Sequence, residues 1–348
     1  MVELWFGIAA VMLAAYVVMD GFDFGAGALH LFVARNDAER RQVLAAIGPF
    51  WDGNEVFLLA SGGVLFVAFP KVLAAGLSGF YFAIFLVLWA LILRGIAIEF
   101  RSHHEHALWR SAWDFVFGVT STLLPVLFGA ALGNLLRGLP LNQEGWFSLP
   151  LFTDFTTSGE VGILDWYTVL IGVFALLAIV GHGGTYLTWK ADEAVFSRSR
   201  FAAMWCYGAV AVLWPIVTAA TAIVNQHMYD VMLARPLAWI ALLVALGGLV
   251  FVALGLRGGR PLQAFLGSSA FLAGLLAATA ALVFPVMLRA TGGDELSLTA
   301  YNSAVPTASL RIALAWWVIA APLAVTYFVV LFRLHRGKAV ASRPREGY

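Results

Sequence analysis

Long apolar runs separated by short polar stretches dominate the pattern of this chain. A helix needs about 20 apolar residues to cross the hydrocarbon of a bilayer, and nine runs approach or exceed that length. They are residues 4–33, 50–69, 75–98, 111–136, 163–189, 201–224, 237–256, 264–288 and 310–334. The pattern predicts an all-α integral membrane protein that forms a single polytopic domain over residues 1–348, with about nine transmembrane helices.

Four of the predicted spans contain a proline, namely Pro125, Pro215, Pro285 and Pro322. Neighbouring helices can satisfy the carbonyl that a proline frees, so we expect kinks at these positions rather than helix ends.

Composition narrows the class of protein further. Only 12% of the residues are charged and 61% are hydrophobic, which excludes a soluble globular enzyme and a disordered chain. Lys and Arg number 21 against 20 Asp and Glu, a net charge of +1, so no basic excess is available to hold nucleic-acid phosphates. Cys206 is the one cysteine, which excludes a disulfide framework.

The basic residues predict an orientation. When the loops are assigned alternately to two sides, one side with the C-terminal tail holds 15 Lys and Arg, the other holds 5, and Arg94 lies inside the third span. Basic residues favour the cytoplasmic side. We therefore expect the N-terminus outside and the C-terminus in the cytoplasm.

A weak internal repeat accompanies this topology. The first and fifth spans both run inward, and each has a polar, glycine-rich stretch, MDGFDFGAG at 19–27 and VGHGGTY at 180–186. The hypothesis that follows is a pseudo-repeat of residues 1–136 and 163–288. Two four-helix bundles plus one peripheral helix, 310–334, would result.

Charged residues inside the spans carry the candidate chemistry, since such residues are costly in lipid and face the protein interior. Asp20 lies about 24 Å from the outer end of its span at 1.5 Å per residue, in the cytoplasmic half. Asp23 and Gly27 share its helix face. Gly21 and Gly25 form a GxxxG pair that lets another backbone approach closely.

The next two spans add charges at the same predicted depth. Asp52 and Glu55 lie in the first turn of the second span, where the helix dipole favours anions. Arg94 and Glu99 lie near the cytoplasmic end of the third, as ion-pair or proton-uptake residues. Asp52 is then either a proton carrier or a plain N-terminal cap. Asp20 and Asp23 either carry protons or form a structural ion pair with Arg94 or a buried hydrogen bond.

These residues resemble the steps of a proton wire that opens on the cytoplasmic side. The histidines predict neither a haem nor a metal site, because no two of them have the i, i+4 spacing of such ligands. His182, the one histidine at a close-packed position within a span, is more typical of a hydrogen-bonded packing residue.

Two motifs carry a resemblance to a known family. DGFDFG at 20–25 and GPFWDGNE at 48–55 resemble subunit II of the cytochrome bd-type quinol oxidases. Shorter stretches of similarity extend the resemblance over nearly the whole chain; they lie at 36–41, 69–70, 78–81, 94–101, 182–187 and 298–304.

The resemblance implies a complex of the bacterial cytoplasmic membrane that oxidises a quinol and reduces dioxygen to water. It places two b-type haems and one d-type haem in the partner, subunit I, and none in this chain. It puts Asp20 and Asp52 at positions of a proton path, with Asp23 and Glu55 beside them. Small single-helix subunits are further partners that it allows, and some members hold a structural quinone in this subunit.

A proton-coupled secondary transporter is the alternative interpretation, because transporters also bury carboxylates. Such proteins usually show inverted repeats and paired broken helices near the midplane, whereas the expected arrangement here is a parallel repeat.

Overall fold

The computed structural model describes residues 1–157 and 159–340. Within them the chain forms thirteen α-helices and one two-stranded sheet. The helices are α1 (Val2–Val33), α2 (Asp37–Ile47), α3 (Trp51–Ala68), α4 (Pro70–Gly79), α5 (Tyr81–Phe100), α6 (Ala107–Arg137), α7 (Trp166–Lys190), α8 (Glu193–Val224), α9 (His227–Met232), α10 (Pro236–Arg257), α11 (Pro261–Val283), α12 (Ala300–Ser303) and α13 (Thr307–Leu334). The strands are β1 (Val286–Leu288) and β2 (Leu298–Thr299), which pair antiparallel.

Eight of the described helices are long and apolar enough to cross a membrane: α1, α5, α6, α7, α8, α10, α11 and α13. The prediction of an all-α membrane protein is therefore confirmed. The second predicted span corresponds to α3, which has 18 residues and is not among the eight. Asp52, Asn54 and Glu55 in its first turns lower its mean hydropathy.

Two details of the predicted spans were wrong. The third was expected to begin at residue 75, but the backbone leaves the helical region at Phe80 (φ −96°, ψ 20°), so 75–79 belongs to α4 and the span begins at Tyr81. Pro285 was expected to kink the eighth span. Helix α11 ends at Val283, and Pro285 lies in the connection to β1. Pro125, Pro215 and Pro322 do lie inside helices.

Helix α1 lies at the centre of the packing, in contact with α3, α6, α7 and α11. Helix α5 packs on α6, α8 on α7, and α10 on α11. Glycines permit the closest crossing, because a Cβ on Gly25 of α1 would lie 2.7 Å from the Cα of Gly183 in α7. The close backbone approach expected at the GxxxG pair is therefore present.

Helix α13 lies at the periphery, with most of its side chains exposed. Its first turn is held where the Trp5 indole donates to the Leu310 carbonyl at 3.2 Å. Near its last turn, the rings of Phe332 and Phe50 stack with their centroids 4.6 Å apart. The segment after α13 then reaches α7, where Lys338 Nζ donates to the Ala191 carbonyl at 2.7 Å.

Candidate functional site

The middle of α1 buries two carboxylates. This helix is apolar over most of its length, and α3, α6, α7 and α11 surround it, so its polar side chains face protein. Asp20 and Asp23 are both fully buried. Their spacing of three residues places them on one face of the helix, as the sequence predicts.

Arg94 of α5 links these acids to α3. Its Nη2 atom donates to Asp20 Oδ1 at 2.8 Å and to Glu55 Oε1 at 2.5 Å. The guanidinium is fully buried and lies 4.4 Å from the centroid of the Phe24 ring. One nitrogen thus joins a buried carboxylate to one that is 27% exposed.

Asn54 holds the second carboxylate in place. Its Nδ2 atom donates to Asp23 Oδ2 at 2.7 Å and to the Met19 carbonyl at 3.0 Å. The carbonyl belongs to the same helix as Asp23, so the amide bridges α3 to α1 at two points. Asn54 was not among the predicted site residues, although the WDGNE motif places it beside Glu55.

The remaining predicted residues lie at the edge of this group. Asp52 is exposed on the first turn of α3, one turn before Glu55. Glu99 is exposed near the end of α5, more than one turn beyond Arg94. The structure therefore brings Asp20, Asp23, Glu55 and Arg94 together, with Asp52 next to them and Glu99 outside. We call Asp20, Asp23, Asn54, Glu55 and Arg94 the ionic site.

Charge is unbalanced in the ionic site. Three carboxylates face a single guanidinium there. Burial of an uncompensated charge is costly, and a buried carboxyl group takes up a proton more readily than an exposed one. This arrangement is chemically suited to hold and pass on a proton.

A second cluster of buried polar residues lies on the other side of α1 and contains no Asp, Glu, Lys or Arg. His182 of α7 bonds through Nδ1 to Ser268 Oγ at 2.7 Å and through Nε2 to the Val18 carbonyl at 2.9 Å. Thr185 Oγ1 lies 2.9 Å from the same serine hydroxyl. We call His182, Thr185 and Ser268 the histidine site. Both ring nitrogens are used in hydrogen bonds, as expected of a packing residue.

A third cluster lies near the predicted cytoplasmic ends of α1 and α6. Asp114 accepts hydrogen bonds from His30 Nε2 at 2.6 Å, Arg101 Nε at 2.6 Å and Arg40 Nη1 at 2.8 Å. Asp37 joins it through Arg101 Nη2 at 2.9 Å. Sequence reasoning did not bring these residues together, since they lie on separate loops and helix ends. This cluster ties the loops to α1.

The sequence model of the cytochrome bd terminal oxidase subunit II family matches residues 1–335. This chain belongs to that family. The subunit II assignment covers nearly the whole chain, including both acidic motifs and every helix of the ionic site. The resemblance inferred from the motifs is thereby confirmed.

Curated relatives and a solved structure agree with subunit II membership. The chain is 30% identical to the cytochrome bd-I ubiquinol oxidase subunit 2 of Escherichia coli K12, over 93% of this chain and 91% of the relative. It is 36% identical to the cytochrome bd ubiquinol oxidase subunit 2 of Bacillus subtilis, over 60% of each. The bd oxidase structure from Geobacillus thermodenitrificans shares the fold, with a TM-score of 0.70, 17% identity and coverage of 96% of this chain and 98% of that one.

Membership of the subunit II family does not favour the alternative of a proton-coupled transporter. Together with the eight apolar helices, it also supports placement in a bacterial inner membrane.

Proposed function

We propose that this chain, as the haem-free subunit II of a bd-type quinol oxidase, stabilises the haem-bearing subunit and contributes a proton-uptake path from the cytoplasm for reduction of dioxygen to water. The observation that carries the path is the shared Arg94 Nη2 atom, which joins buried Asp20 to partly exposed Glu55.

The resemblance assigns the two b-type haems and the d-type haem to subunit I. Within residues 1–157 and 159–340 no group of three His, Cys, Asp or Glu side chains could hold a metal ion. The imidazole of His182 already uses both nitrogens in hydrogen bonds, and that of His30 uses Nε2 toward Asp114. Quinol, small single-helix subunits and a structural quinone are expected on the resemblance alone.

The path follows the charges from the surface inward. Asp52 is exposed at the start of α3 and is the first group to take up a proton from the predicted cytoplasmic side. Glu55, one turn further, is in contact with Arg94, and Arg94 is in contact with Asp20. When a carboxylate takes up a proton its attraction to Arg94 falls, so the guanidinium is free to favour the other acid. Alternate pairing of Arg94 with Glu55 and Asp20 would move protonation inward one carboxyl group at a time.

Two substitutions test the path in the complete oxidase. We expect Asp20→Asn and Asp52→Asn to lower quinol-dependent oxygen consumption while the haem spectrum stays unchanged, because an amide cannot carry a proton. Loss of a positioned proton-transfer group typically costs about 10²-fold or more, and the exposed Asp52 should cost less than the buried Asp20. Asp294→Asn, on an exposed turn elsewhere, is the matched control.

Two outcomes would contradict this proposal. Unchanged oxygen consumption in both variants would remove the proton-path role. Loss of haem from both variants would instead indicate a purely structural subunit, whose acids serve only to hold the helices together.

A further inference from the structure

Several atoms of the ionic site, and the hydroxyl of Tyr16 one turn away, have no hydrogen-bond partner among the described residues, although all are buried. The side chains that carry them are between 0% and 2% exposed. The atoms are Asp20 Oδ2, Asp23 Oδ1, Asn54 Oδ1, Arg94 Nε, Arg94 Nη1 and Tyr16 Oη. Native proteins leave few such atoms, and a group of them in one place usually marks bound water or an ion.

Covalent geometry places most of these atoms next to one another. Asp20 Oδ2 and Arg94 Nη1 each belong to a group whose other atom takes part in the 2.8 Å ion pair. Asp23 Oδ1 and Asn54 Oδ1 flank the 2.7 Å hydrogen bond in the same way. The set contains donors as well as acceptors, whereas a metal ion would require acceptors alone. Water, which both donates and accepts, is the ligand that fits.

Tyr16 extends the set by one helical turn. It precedes Asp20 by four residues, so the two side chains lie on one face of α1, about 6 Å apart along the axis. Its ring is packed edge-on against Phe24 and Phe128, with centroid distances of 6.2 and 5.7 Å. Those contacts hold the ring. The hydroxyl lies near the Asp20 carboxyl group but meets no described protein atom in hydrogen-bond geometry. The charged groups of the ionic site that face this region are Asp20 and Asp23 from α1, Glu55 from α3 and Arg94 from α5.

We propose that an internal water cluster bridges Asp20, Asp23, Asn54 and Arg94, and that the Tyr16 hydroxyl is its protein ligand farthest from the predicted cytoplasmic side. This inference rests on the proposed function and gives the path an inner end. A water molecule takes a proton from the Asp20 carboxyl group and releases one of its own to the next water. One proton moves inward, and no other bond changes. Tyr16 is a positioning residue that orients the last water.

The test compares two tyrosine variants of the complete oxidase, Tyr16→Phe and Tyr207→Phe. Tyr207 is the matched control because its hydroxyl is also buried without a hydrogen-bond partner among the described residues, but it lies on α8 beside Phe271. We expect Tyr16→Phe to keep its haem spectrum and to lose about two- to tenfold in oxygen consumption, the equivalent of one hydrogen bond. Tyr207→Phe should match the wild type.

A spectroscopic signature separates water positioning from packing. Reduced-minus-oxidised infrared difference spectra in H₂¹⁸O should show isotope-sensitive water bands in the wild type and in Tyr207→Phe. At least one of these bands should shift or vanish in Tyr16→Phe. A density map of the unaltered complex that resolves water should place molecules within hydrogen-bond distance of Tyr16 Oη and Asp20 Oδ2.

The outcomes distinguish this inference from the path on which it rests. If Asp20→Asn slows the oxidase while Tyr16→Phe retains both its turnover and its water bands, the path stands and the Tyr16 inference is overturned. A map showing dry contact around Tyr16 would overturn it as well. If Tyr16→Phe changes the water bands but Asp20→Asn and Asp52→Asn leave turnover unchanged, the water cluster is supported and the proposed function fails.

Discussion

The ionic site and the histidine site flank the same helix, yet they differ in how completely their atoms are hydrogen-bonded. In the histidine site both ring nitrogens of His182 have partners. Nε2 bonds to the Val18 carbonyl, and Nδ1 bonds to Ser268, whose hydroxyl also contacts Thr185. In the ionic site, Asp20 and Asp23 each keep one carboxyl oxygen without a partner among the described residues.

That difference separates two uses of buried polarity. A fully bonded neutral group joins helices at little cost, since each polar atom exchanges water for a protein partner. A buried ion pair with unpaired atoms is poor at stabilising a fold, because its desolvation penalty can exceed the attraction between its charges. The difference agrees with our proposal that the ionic site serves proton transfer, and with a packing role for the histidine site.

Removal of Arg94, the single cation of the ionic site, should have the largest effect on the stability of the complex. Arg94→Met leaves three carboxylates without a counter-charge, and loss of one partner of a buried pair costs about 3–5 kcal/mol of unfolding free energy. We expect a large fall in the thermal stability and haem content of the complex. Addition of Asp20→Asn should restore part of the loss. Arg311→Met, at an exposed position near the start of α13, should leave both quantities unchanged. An Arg94→Met variant as stable as the wild type would contradict this explanation.

Truncation in the histidine site should affect stability without affecting catalysis. Ser268→Ala removes the partner of His182 Nδ1 and leaves a buried polar atom unpaired, at a cost of about 1–3 kcal/mol. Thermal unfolding should show this loss, while oxygen consumption per haem stays at the wild-type rate. The hydroxyl of the neighbouring Ser269 donates to the Phe265 carbonyl of its own helix at 2.9 Å and bridges no second helix among the described residues, so Ser269→Ala should cost less. A Ser268→Ala oxidase with slowed turnover would show that the histidine site is more than packing.

A charged pair between the loop helix α2 and the start of α8 should give the smallest effect. Arg198 donates to both carboxyl oxygens of Glu39, at 2.9 and 2.8 Å, and these bonds lower the Glu39 pKa from 4.5 to about 2. Because the pKa is lower in the folded chain, the pair stabilises the fold above about pH 4.5 and loses that contribution as the pH falls toward 2.

Thermal unfolding at pH 5 and pH 3.5 measures this contribution. We expect the wild type to lose more stability between the two values than Glu39→Gln does, with Glu144→Gln, an exposed control, behaving as the wild type. Equal losses in all three proteins would show that a fully bonded surface pair adds nothing here.

The periodicity of the apolar residues and the positions of the charged residues predicted the helices and most members of the ionic site. Hydropathy indicated the helices, and the cost of charge in lipid predicted that Asp20, Asp23, Glu55 and Arg94 face the protein interior. Helix periodicity predicted that the two aspartates share a face.

Contacts between helices could not be obtained in the same way. Which atom of Arg94 meets which carboxylate depends on the rotation of α5 relative to α1, and hydropathy does not determine that rotation. Asn54 and Tyr16 were missed because a single amide or phenol in a span is common and carries no charge signal. The break at Phe80 was missed because an uninterrupted apolar run hides a local change of backbone angle.

The glycine contact between α1 and α7 limits how the ionic site can change. The backbones of α1 and α7 are in direct contact at Gly25 and Gly183. No side chains lie between them there that could rearrange to let α1 slide past α7. We therefore expect the carboxylates of α1 to stay at a constant depth through each turnover of the oxidase. Movement during turnover would then be confined to the longer side chains of α3 and α5, namely Glu55 and Arg94, while the backbone of α1 stays fixed.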